Sequence, residues 1–454
     1  MSAEGDRNGV SVVGLGKLGA PFVACLASRG FKVIGVDYNP RVIEAVSSGR
    51  APVYEPGLDE LMAKHSGSID ATRDFGDAVS RSCITFIIVP TPSDEKGGFS
   101  LDYVLSACSR VGDALKKIDR YHLVAITSTV LPGSTEGPIK DALEKSSGKS
   151  CGRDLGLCYN PEFIALGSVI HNTLNPDFVL IGESDSRAGE MLEGVYKLLC
   201  ENDPPIARMN IINAEITKLA VNTYVTTKIS FANMLARICE RLPGADVDVV
   251  TEALGNDKRI GHRYLKGALG YGGPCFPRDN QALSYIARQV GISASLADAT
   301  DAVNRAQVEN LVDVVKECLP PGGMVGILGL TYKPNTNVVE ASQGVLLANR
   351  LRDEGIAFTC HDPAARIEDV AREFEGFEAL VPLEECVKSS DIIAITTPWE
   401  DYRKMDLALL GEGGKRRVVI DCWRILDPSK VRGYATYRAL GIGYGEREEA
   451  RDGD

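Results

Sequence analysis

The sequence predicts an α/β protein in which two doubly wound parallel sheets are joined by a long central helix and a helical segment. Short apolar runs alternate with helical patterns up to about residue 208 and again from residue 319, as in βαβ units. Between these regions, residues 213–242 keep a helical pattern with no breaker, and such a long helix often links domains. The expected domain boundaries are therefore 1–208, 209–318 and 319–454.

The first domain opens with a strand–turn–helix–strand unit. Its first apolar run, "VSVVGLGKLG" (10–19), ends in glycines, a helical pattern follows in "APFVACLASRG", and "KVIGVD" (32–37) is the second strand. Because parallel strands are buried on both faces, further strands are expected at continuous apolar runs. Four such runs follow, at residues 83–91, 123–129, 155–163 and 177–182.

The alternation of strands and helices returns after the helical segment. Shorter helices are predicted over residues 246–255, 279–290 and about 295–318, and "LPPGG" (319–323) then breaks the pattern. The run "MVGILGLTYK" (324–333) predicts a strand, and "GVLLANRLRDEG" (344–355) predicts a helix. Three more runs predict the remaining strands: "AFTCHDP", "DIIAITTP" and "RVVIDCWRIL".

Length and composition indicate a multidomain globular protein. The 454 residues are too many for one core, and 44% of them are hydrophobic. The net charge of −12 argues against nucleic acid or a membrane surface as a partner, because both attract basic faces. No apolar run approaches the ~18 residues that span a bilayer. The first nine residues lack the apolar segment of a secretory signal, and they and the charged residues 445–454 are expected to be mobile tails.

The twelve cysteines are scattered, with no CxxC pair and no cysteine or histidine cluster at metal spacing. Most lie in apolar runs, such as Cys25 in "FVACLAS" and Cys83 in "SCITFII". We therefore expect buried, reduced thiols in a cytoplasmic protein that binds no metal. Cys275 is the exception, because glycines and prolines on both sides place it in a turn.

A glycine-rich turn joins the first strand to its helix. It reads Gly14-Leu15-Gly16-Lys17-Leu18-Gly19, and Asp37 closes the second strand. Such glycines allow a tight turn and let a pyrophosphate approach the helix N-terminus. Asp37 is expected to accept hydrogen bonds from both ribose hydroxyls, and its charge would repel a 2′-phosphate. The pattern therefore predicts a dinucleotide site that takes NAD rather than NADP.

The stretch "GYGGPCFPRD" (271–280) places Cys275 in front of a predicted helix. A thiol at this position meets the partial positive charge of unpaired backbone N–H groups, which stabilises the thiolate. Pro277 suits a first helical turn, and Asp279 lies about one turn past the cysteine. A thiol combined with a hydride acceptor implies oxidation of an aldehyde through a thioester.

Lys218 and Asn222 are four residues apart on the long helix and therefore share one face. Taken alone, this pairing favours a solvated polar stripe over a functional site.

The order and spacing of these stretches resemble the UDP-glucose/GDP-mannose dehydrogenase family over nearly the whole chain. The matching stretches are "GLGKLG", "VYEPGLDEL", "VPTPS", "TSTVLPGST", "NPEF", "KLAVN", "KRIGHRYLKGALGYGGPCFPRD" and "LTYKPNT". The resemblance implies two Rossmann-like domains joined by a helical dimerisation domain, with NAD on the N-terminal domain and a nucleotide sugar on the C-terminal one. It also implies a four-electron oxidation, in which two NAD and one water convert the C6 hydroxyl of the sugar to a carboxylate.

The resemblance implies a role for the cysteine and for the two polar residues of the long helix. The thiolate of Cys275 would trap the C6 aldehyde as a thiohemiacetal, which loses a hydride to give a thioester. Lys218 would stabilise charge that develops on the C6 oxygen. Asn222 would orient the substrate or the cysteine adduct.

Three more residues are expected to act in the hydrolysis of the thioester. Asp279 and Thr129 would position the water or relay its proton. Glu162 would be the general base and a ligand of the sugar. The alternative for Glu162 is an acid that follows Pro161 at a helix N-terminus.

Further residues are expected to bind the cofactor or the nucleotide sugar. Backbone N–H groups of "YLKGALGYG" would hold the diphosphate and sugar with the help of Lys266, while Tyr332 and Lys333 would meet the substrate from the C-terminal domain. Arg259 would reach the sugar site of a neighbouring subunit in a homodimer or a higher homo-oligomer. Besides the glycine turn and Asp37, the expected cofactor-binding residues are Arg41, Thr91, Pro92, Ser128, Thr129 and Arg278. The other expected substrate-binding residues are Glu162, Phe163, Ile164, Lys218, Asn222, Tyr264, Leu269, Tyr271, Gly272 and Arg424.

Four positions depart from the family pattern. Leu166 stands where many glucose-type members have a second acid, so either Glu162 acts alone or the water is held elsewhere. The other departures are Pro274 in place of a serine, Glu340 in place of an arginine near the cofactor, and Trp423 in place of an arginine. Arg424, the next residue, either takes over the role of that last arginine or leaves it unfilled. The "PEF" stretch resembles glucose- and mannose-type members. UDP-glucose is the expected substrate and dTDP-glucose the first alternative, with GDP-mannose and acetamido sugars left open.

Three other functions are weighed against this one. A single-step dehydrogenase of the hydroxyacid or 6-phosphogluconate type shares the domain plan but needs no thiol. An inactive nucleotide-sugar-binding homologue would bind ligand without making NADH. A thiol redox sensor would have a reactive Cys275 that ignores nucleotide sugars.

Overall fold

The computed structural model describes residues 9–444. Of the tails expected to be mobile, 1–9 and 445–454, only Gly9 is described, and it begins the first strand. The chain divides into two compact units, Met1–Ala220 and Val221–Asp454. The three-domain division predicted from the sequence stays a prediction.

Eight strands form the sheet of the first unit: β1 (Gly9–Val13), β2 (Lys32–Val36), β3 (Ile69–Thr72), β4 (Ile84–Ile87), β5 (His122–Ile126), β6 (Leu155–Tyr159), β7 (Val179–Glu183) and β8 (Ile206–Asn210). They lie in the order β3-β2-β1-β4-β5-β6-β7-β8. Neighbouring strands are parallel except β6 and β7, which pair antiparallel and overlap only at their carboxyl ends. The expected parallel sheet therefore contains one reversal, after its sixth strand.

Helices pack against this sheet on both faces. They are α1 (Gly19–Ser28), α2 (Pro40–Ser47), α3 (Leu58–His65), α4 (Phe75–Ser80), α5 (Asp102–Leu115), α6 (Lys140–Ser147), α7 (Val169–Leu174) and α8 (Ser186–Leu199). Alternate residues of β1 belong to two separate cores, because successive side chains of a strand point to opposite faces. Val12 packs in one core with Phe22 of α1, and Val13 packs in the other with Val111 of α5.

A long helix, α9 (Ile211–Glu240), crosses the division between the two units and lies close to the predicted range 213–242. Three helices follow it: α10 (Val247–Gly255), α11 (Phe276–Gln289) and α12 (Ser295–Cys318). The prediction that α11 begins at residue 279 is wrong by three residues. The helix begins earlier because Cys275 is its N-cap, and Pro277 lies in a first turn that does not require its N–H.

The second unit contains a five-stranded parallel sheet: β9 (Met324–Leu328), β10 (Ala357–His361), β11 (Ile392–Ile395), β12 (Val418–Asp421) and β13 (Thr436–Ala439). The strand order is β10-β9-β11-β12-β13. The remaining helices are α13 (Gln343–Asp353), α14 (Ile367–Glu373), α15 (Leu383–Ser389), α16 (Glu400–Arg403) and α17 (Pro428–Val431). The predicted class, two doubly wound α/β regions with a long central helix, is confirmed.

Three strands were not predicted from the sequence: β3, β8 and β13. Each lies at the edge of its sheet, where one side of the strand has no neighbour. In β8 none of the five residues is buried, and in β3 only Ile69 is buried. Edge strands of this kind lack the continuous apolar run by which buried parallel strands are recognised. None of the helices that the structure describes is long and apolar enough to cross a membrane.

Candidate active site

The glycine turn lies between β1 and α1, where its backbone is tightly constrained. Gly14 has φ +96° and donates its N–H to the carbonyl of Val36 at 2.8 Å. A Cβ at Gly14 would overlap the carbonyl oxygen of Ile88, and one at Gly19 would overlap that of Gly14. A Cβ at Gly16, in contrast, would point into open space. The turn is therefore closed on its inner side and open on the side of Gly16, as a pyrophosphate site requires.

Asp37 is fixed at the end of β2 by the backbone. Its Oδ2 atom accepts the N–H of Leu15 at 2.9 Å, and its Oδ1 atom accepts the N–H of Asn39 at 2.9 Å. The carboxylate therefore ties the glycine turn to the second strand and keeps lone pairs for ribose hydroxyls. The Leu15 side chain is fully buried, so only its backbone faces a ligand, whereas Lys17 and Arg41 are exposed.

Segments that follow β4 and β5 are joined next to this turn. Thr91 donates its hydroxyl to the carbonyl of Thr129 at 2.8 Å, and the hydroxyl of Ser128 both accepts from and donates to the backbone of Val89. Strand order reverses between β1 and β4, which is where open α/β sheets bind ligands at their carboxyl ends. The predicted cofactor residues of the first unit thus cluster at this switch point, with Pro92 exposed beside them. Their arrangement fits NAD.

Glu162 and Lys218 meet in the first unit. The ammonium of Lys218 donates to the backbone carbonyl of Glu162 at 2.7 Å and lies 4.7 Å from the centre of the Phe163 ring. The Oε2 atom of Glu162 is buried and has no hydrogen-bond partner among the described residues. Burial raises the pKa of Glu162 to about 8, and the nearby charge of Lys218 opposes that rise. A carboxyl with such a pKa exchanges protons near neutral pH, as a general base requires. Ile164 and Leu166 on the same loop are half-buried.

Cys275 is the N-cap of α11 in the second unit, and it is the only exposed cysteine among those that the structure describes. The N–H of Asp279 donates to its carbonyl at 2.9 Å, which closes the first helical turn. The Asp279 carboxylate is 1% exposed, and its Oδ2 atom accepts from the side-chain amide of Asn222 at 2.5 Å. Its Oδ1 atom lies 3.6 Å from the Arg278 guanidinium. The thiol is therefore open to a ligand, while the acid one turn later is buried and held.

Asn280, directly after Asp279, was missed by the sequence reasoning. Its amide donates to the hydroxyl of Tyr271 at 2.9 Å and to Asp301 at 2.8 Å, and its carbonyl accepts from Thr226 at 3.1 Å. Tyr271 donates its own hydroxyl to Asp301 at 2.6 Å, and burial raises its pKa. This network fixes α11 and the loop before it to α9 and α12.

The segment after β9 packs on the glycines that precede Cys275. The N–H of Gly273 donates to the carbonyl of Glu340 at 2.9 Å, and a Cβ at Gly273 would overlap the ring of Tyr332. A Cβ at Gly272 would overlap the carbonyl of Ala341. Lys333 lies beside Tyr332, with its ammonium 5.8 Å from the ring centre. Predicted substrate residues from two distant stretches are thus adjacent within the second unit.

Asp248, which was not predicted, binds two of the predicted substrate cations. It accepts from Lys266 at 2.8 Å and from two nitrogens of Arg424 at 2.8 and 2.9 Å. Arg424 also donates to the carbonyls of Gly267 and Leu440, so its guanidinium is occupied by the protein. The side chain of Leu269 is 2% exposed and lies in the core, which leaves only its backbone for a ligand. Arg259 is exposed and pairs with Asp257 at 2.6 Å.

Unusual backbone conformations concentrate in these segments. Of the five non-glycine residues with positive φ in the described chain, four lie here: Tyr264, Asn335, Ala341 and Arg424. Such conformations are costly and tend to occur at binding sites. Within the described residues, no group of three or more histidine, cysteine, aspartate or glutamate side chains is placed to hold a metal ion.

Comparison with known proteins agrees with this geometry. Three models of the UDP-glucose/GDP-mannose dehydrogenase family match: the NAD binding domain at residues 8–200, the central domain at 212–306 and the UDP binding domain at 326–428. The predicted cofactor, NAD, is confirmed by the first of these matches.

Similar proteins cover almost the whole chain. The UDP-glucose 6-dehydrogenase AglM of Haloferax volcanii is 34% identical over 92% of this chain and 97% of its own length. The GDP-mannose 6-dehydrogenase of Pseudomonas putida is 33% identical over 91% of this chain and 95% of its own length. The solved structure of a UDP-glucose dehydrogenase from Pyrobaculum islandicum is 34% identical, with a TM-score of 0.87 over 98% of this chain and 100% of that one. The chain therefore belongs to the UDP-glucose/GDP-mannose dehydrogenase family and is an NAD-dependent nucleotide-sugar dehydrogenase.

Proposed function

We propose that this protein oxidises the C6 hydroxyl of UDP-glucose to a carboxylate through a thiohemiacetal and a thioester on Cys275. The position of Cys275 carries the proposal: an exposed thiol at the N-cap of α11, with a buried carboxylate one turn later. The similarity to UDP-glucose dehydrogenases from Haloferax volcanii and Pyrobaculum islandicum supports the substrate.

Bound NAD supplies the hydride acceptor for each of the two oxidations. In the first oxidation C6 loses a hydride and its hydroxyl group loses a proton to water, which gives the C6 aldehyde. The thiolate of Cys275 adds to this aldehyde, and the resulting oxyanion takes up a proton to complete the thiohemiacetal. After loss of the second hydride and of this proton, C6 is bound to sulfur as a thioester. Water then adds to C6, and the thiolate leaves as the carboxylate forms.

The predicted catalytic polar residues have distinct tasks in this scheme. The ammonium of Lys218 stabilises negative charge that develops on the C6 oxygen. Its hydrogen bond to the Glu162 carbonyl uses only one of its three N–H donors. Glu162 removes a proton from the attacking water. Asn222 and Asp279 form one hydrogen-bonded pair that orients the adduct, and Asn222 lies one turn after Lys218 on α9. Thr129 helps to position the water.

Residues of the second unit supply the proposed contacts with the nucleotide and sugar of the substrate. Lys266 keeps N–H donors for a diphosphate after its bond to Asp248. Tyr332 lies against Gly273, and the Lys333 ammonium lies 5.8 Å from the centre of the Tyr332 ring. Arg424 has a different role: its bonds to Asp248, Gly267 and Leu440 support the loop around it.

We further propose a homodimer or a higher homo-oligomer that uses α9. Tyr224, Phe231, Met234 and Ile238 follow one stripe of this helix, and each is at least 41% exposed. Exposed apolar stripes of this kind mark interaction sites. Sedimentation measurements should give at least twice the chain mass of 48.8 kDa. A monomer in dilute solution would contradict this proposal.

The test of the reaction is stoichiometric. The protein is incubated with NAD and with UDP-glucose, dTDP-glucose, GDP-mannose or an acetamido sugar nucleotide, and NADH is counted per sugar consumed. We expect a ratio of about two with UDP-glucose, and no turnover for Cys275→Ala although ligand still shifts its melting temperature. A ratio near one, or full turnover by the alanine variant, would indicate a single-step dehydrogenase. If a nucleotide sugar shifts the melting temperature of the unmodified protein but no NADH forms, the protein is an inactive homologue.

A further inference from the structure

The loop that carries Glu162 runs from Asn160 to Ser168, between β6 and α7, and has no regular secondary structure. Backbone N–H groups in such a loop have no ladder partner, so they depend on side chains, water or single backbone carbonyls, as the Ser168 N–H does on the Ala165 carbonyl at 3.0 Å. The position of the Glu162 carboxyl therefore depends on what holds the two ends of this loop.

The first end is held by Asn160. Its N–H continues from the sheet to the carbonyl of Ile126 at 2.8 Å, and its side-chain amide donates to the carbonyl of Leu180 at 2.9 Å. The hydroxyl of Tyr196 donates to its side-chain oxygen at 2.7 Å. Asn160 is 1% exposed, so these bonds form in the core of the first unit.

The second end is held by Glu55, which lies in the segment between α2 and α3. Its Oε2 atom accepts the N–H of Gly167 at 2.8 Å, and its Oε1 atom accepts the N–H of Val169 at 2.7 Å. Glu55 is 7% exposed, so each oxygen of this buried carboxylate accepts a backbone N–H from a residue more than a hundred positions away. Hydrogen bonds from N–H groups to a carboxylate are roughly twice as strong as those between neutral groups.

We propose that Glu55 is a positioning residue that fixes the second end of the 160–168 loop and so keeps Glu162 in place for hydrolysis of the thioester. The inference rests on the proposed function, because it takes Glu162 as the base in that step. Between the two ends, hydrogen bonds join Ala165 to Asn172 at 3.2 Å and Lys218 to the Glu162 carbonyl at 2.7 Å, and the Phe163 ring packs 4.7 Å from that of Phe178. None of these contacts replaces the acceptors that Glu55 gives to Gly167 and Val169.

Loss of Glu55 should affect one step of the reaction more than the others. In Glu55→Gln an amide NH₂ group replaces one acceptor oxygen and faces a backbone N–H, so the loop would shift to bring that N–H to water. A displacement of about 1 Å at a catalytic group costs on the order of 10²-fold in rate. Because the loop carries the proposed base and the cysteine lies on α11, formation of the thioester should persist while its hydrolysis slows.

The experiment compares Glu55→Gln, Glu55→Asp and the unmodified protein in rapid mixing with NAD and UDP-glucose. For Glu55→Gln we expect a rapid phase of about two NADH per active chain, then a steady rate about 10- to 100-fold lower, with KM within about twofold. Intact mass should show the sugar acyl adduct during the slow phase. Glu55→Asp, which keeps the charge, should recover part of the rate, and Tyr196→Phe, which loosens the first end, should give the same kind of slow phase.

The matched control is Glu144→Gln, which removes a carboxylate that binds the backbone N–H of Cys151 at 2.9 Å before β6 begins. It should leave the two-NADH phase and the steady rate unchanged. Hydrogen exchange of residues 160–168, measured without substrate, should rise in Glu55→Gln and not in Glu144→Gln. Unchanged exchange in that loop, or an unchanged steady rate in folded Glu55→Gln, would overturn the role of Glu55. A ratio near one NADH per sugar in the unmodified protein would refute the proposed function instead, and the exchange measurement would still test the loop.

Discussion

Replacement of Glu162 by glutamine gives a sharp test of the proposed base, because the Oε2 atom of this residue is buried without a hydrogen-bond partner among the described residues. Burial raises its pKa to about 8, against the opposing effect of Lys218. At pH 7 only about a tenth of the chains therefore carry Glu162 as a carboxylate. Hydrolysis of the thioester should accelerate as the pH rises through about 8 and should be lost in Glu162→Gln.

The same pKa has a consequence for stability, with a definite sign. The ordinary pKa of 4.5 is lower than the folded value of about 8, so the folded protein binds a proton that the unfolded chain releases. The resulting stabilisation is fully present below pH 4.5 and is lost as the pH rises through 8. This interval corresponds to at most about 5 kcal/mol at 1.36 kcal/mol per pH unit. Since the residue as a whole is only half-buried, we expect about 2–3 kcal/mol.

The assay is urea unfolding from pH 5 to pH 9, together with rapid-mixing kinetics at each pH. Relative to the unmodified protein, Glu162→Gln should gain about 2–3 kcal/mol between pH 5 and pH 9, because glutamine cannot ionise. It should also accumulate the acyl adduct at every pH. Glu144→Gln, on α6 in the same unit, is the matched control and should show neither effect. A stability difference that does not vary with pH, or normal thioester hydrolysis by Glu162→Gln, would refute the reasoning.

Three further predictions concern the cofactor and the two cores. Asp37→Ser should weaken NAD binding about tenfold, because it removes a charged acceptor for the ribose and for the N–H of Leu15. It should also reduce the ratio of NAD affinity to NADP affinity, because the charge that repels a 2′-phosphate is lost. Titration of the two cofactors measures both effects, and an unchanged preference would contradict the role of Asp37. Arg417→Met should lower the free energy of unfolding in urea by about 3–5 kcal/mol, because Arg417 is 2% exposed and its guanidinium binds five backbone carbonyls. These are the carbonyls of Val387, Lys388, Ser390, Leu410 and Glu412. Arg416→Met, on the exposed neighbour, should change stability by less than about 0.5 kcal/mol, and equal costs would refute the argument. Burial lowers the pKa of His122 from 6.5 to about 3, so below pH 6.5 the unfolded chain binds a proton that the folded protein does not. The free energy of unfolding should therefore fall by about 1.4 kcal/mol per pH unit as the pH drops below 6.5. His122→Gln should remove this slope in urea unfolding between pH 7 and pH 5, and a slope equal to that of the unmodified protein would contradict it.

The two predicted catalytic acids could be found from the sequence for different reasons. Asp279 follows Cys275 within one helical turn, so helix geometry alone relates them. Glu162 stands out only through the resemblance of "NPEF" to a family, since nothing local shows that its Oε2 atom is buried without a partner. The pKa that suits it to base catalysis depends on burial by residues elsewhere in the first unit.

Several supporting residues were overlooked because their partners are remote. Glu55 binds Val169 across a separation of 114 residues, and Asp248 binds Arg424 across 176. Arg424 was expected to bind substrate only because it stands next to Trp423, where the family commonly has an arginine. Only the folded chain shows that Asp248 and two carbonyls already occupy it.

By itself the sequence determined the features that depend on neighbouring residues: the glycine turn with Asp37, the buried strands with continuous apolar runs, the long helix α9, and a cysteine at the start of a helix. These follow from backbone propensity and periodic patterns, which act over one or two turns of chain. The tertiary structure alone decided the edge strands, the antiparallel pairing of β6 with β7, and the partners of buried charges such as Glu55 and Asp248. Those features arise where segments far apart in the chain complete each other's hydrogen bonds, and such pairings leave no periodic signal in either segment.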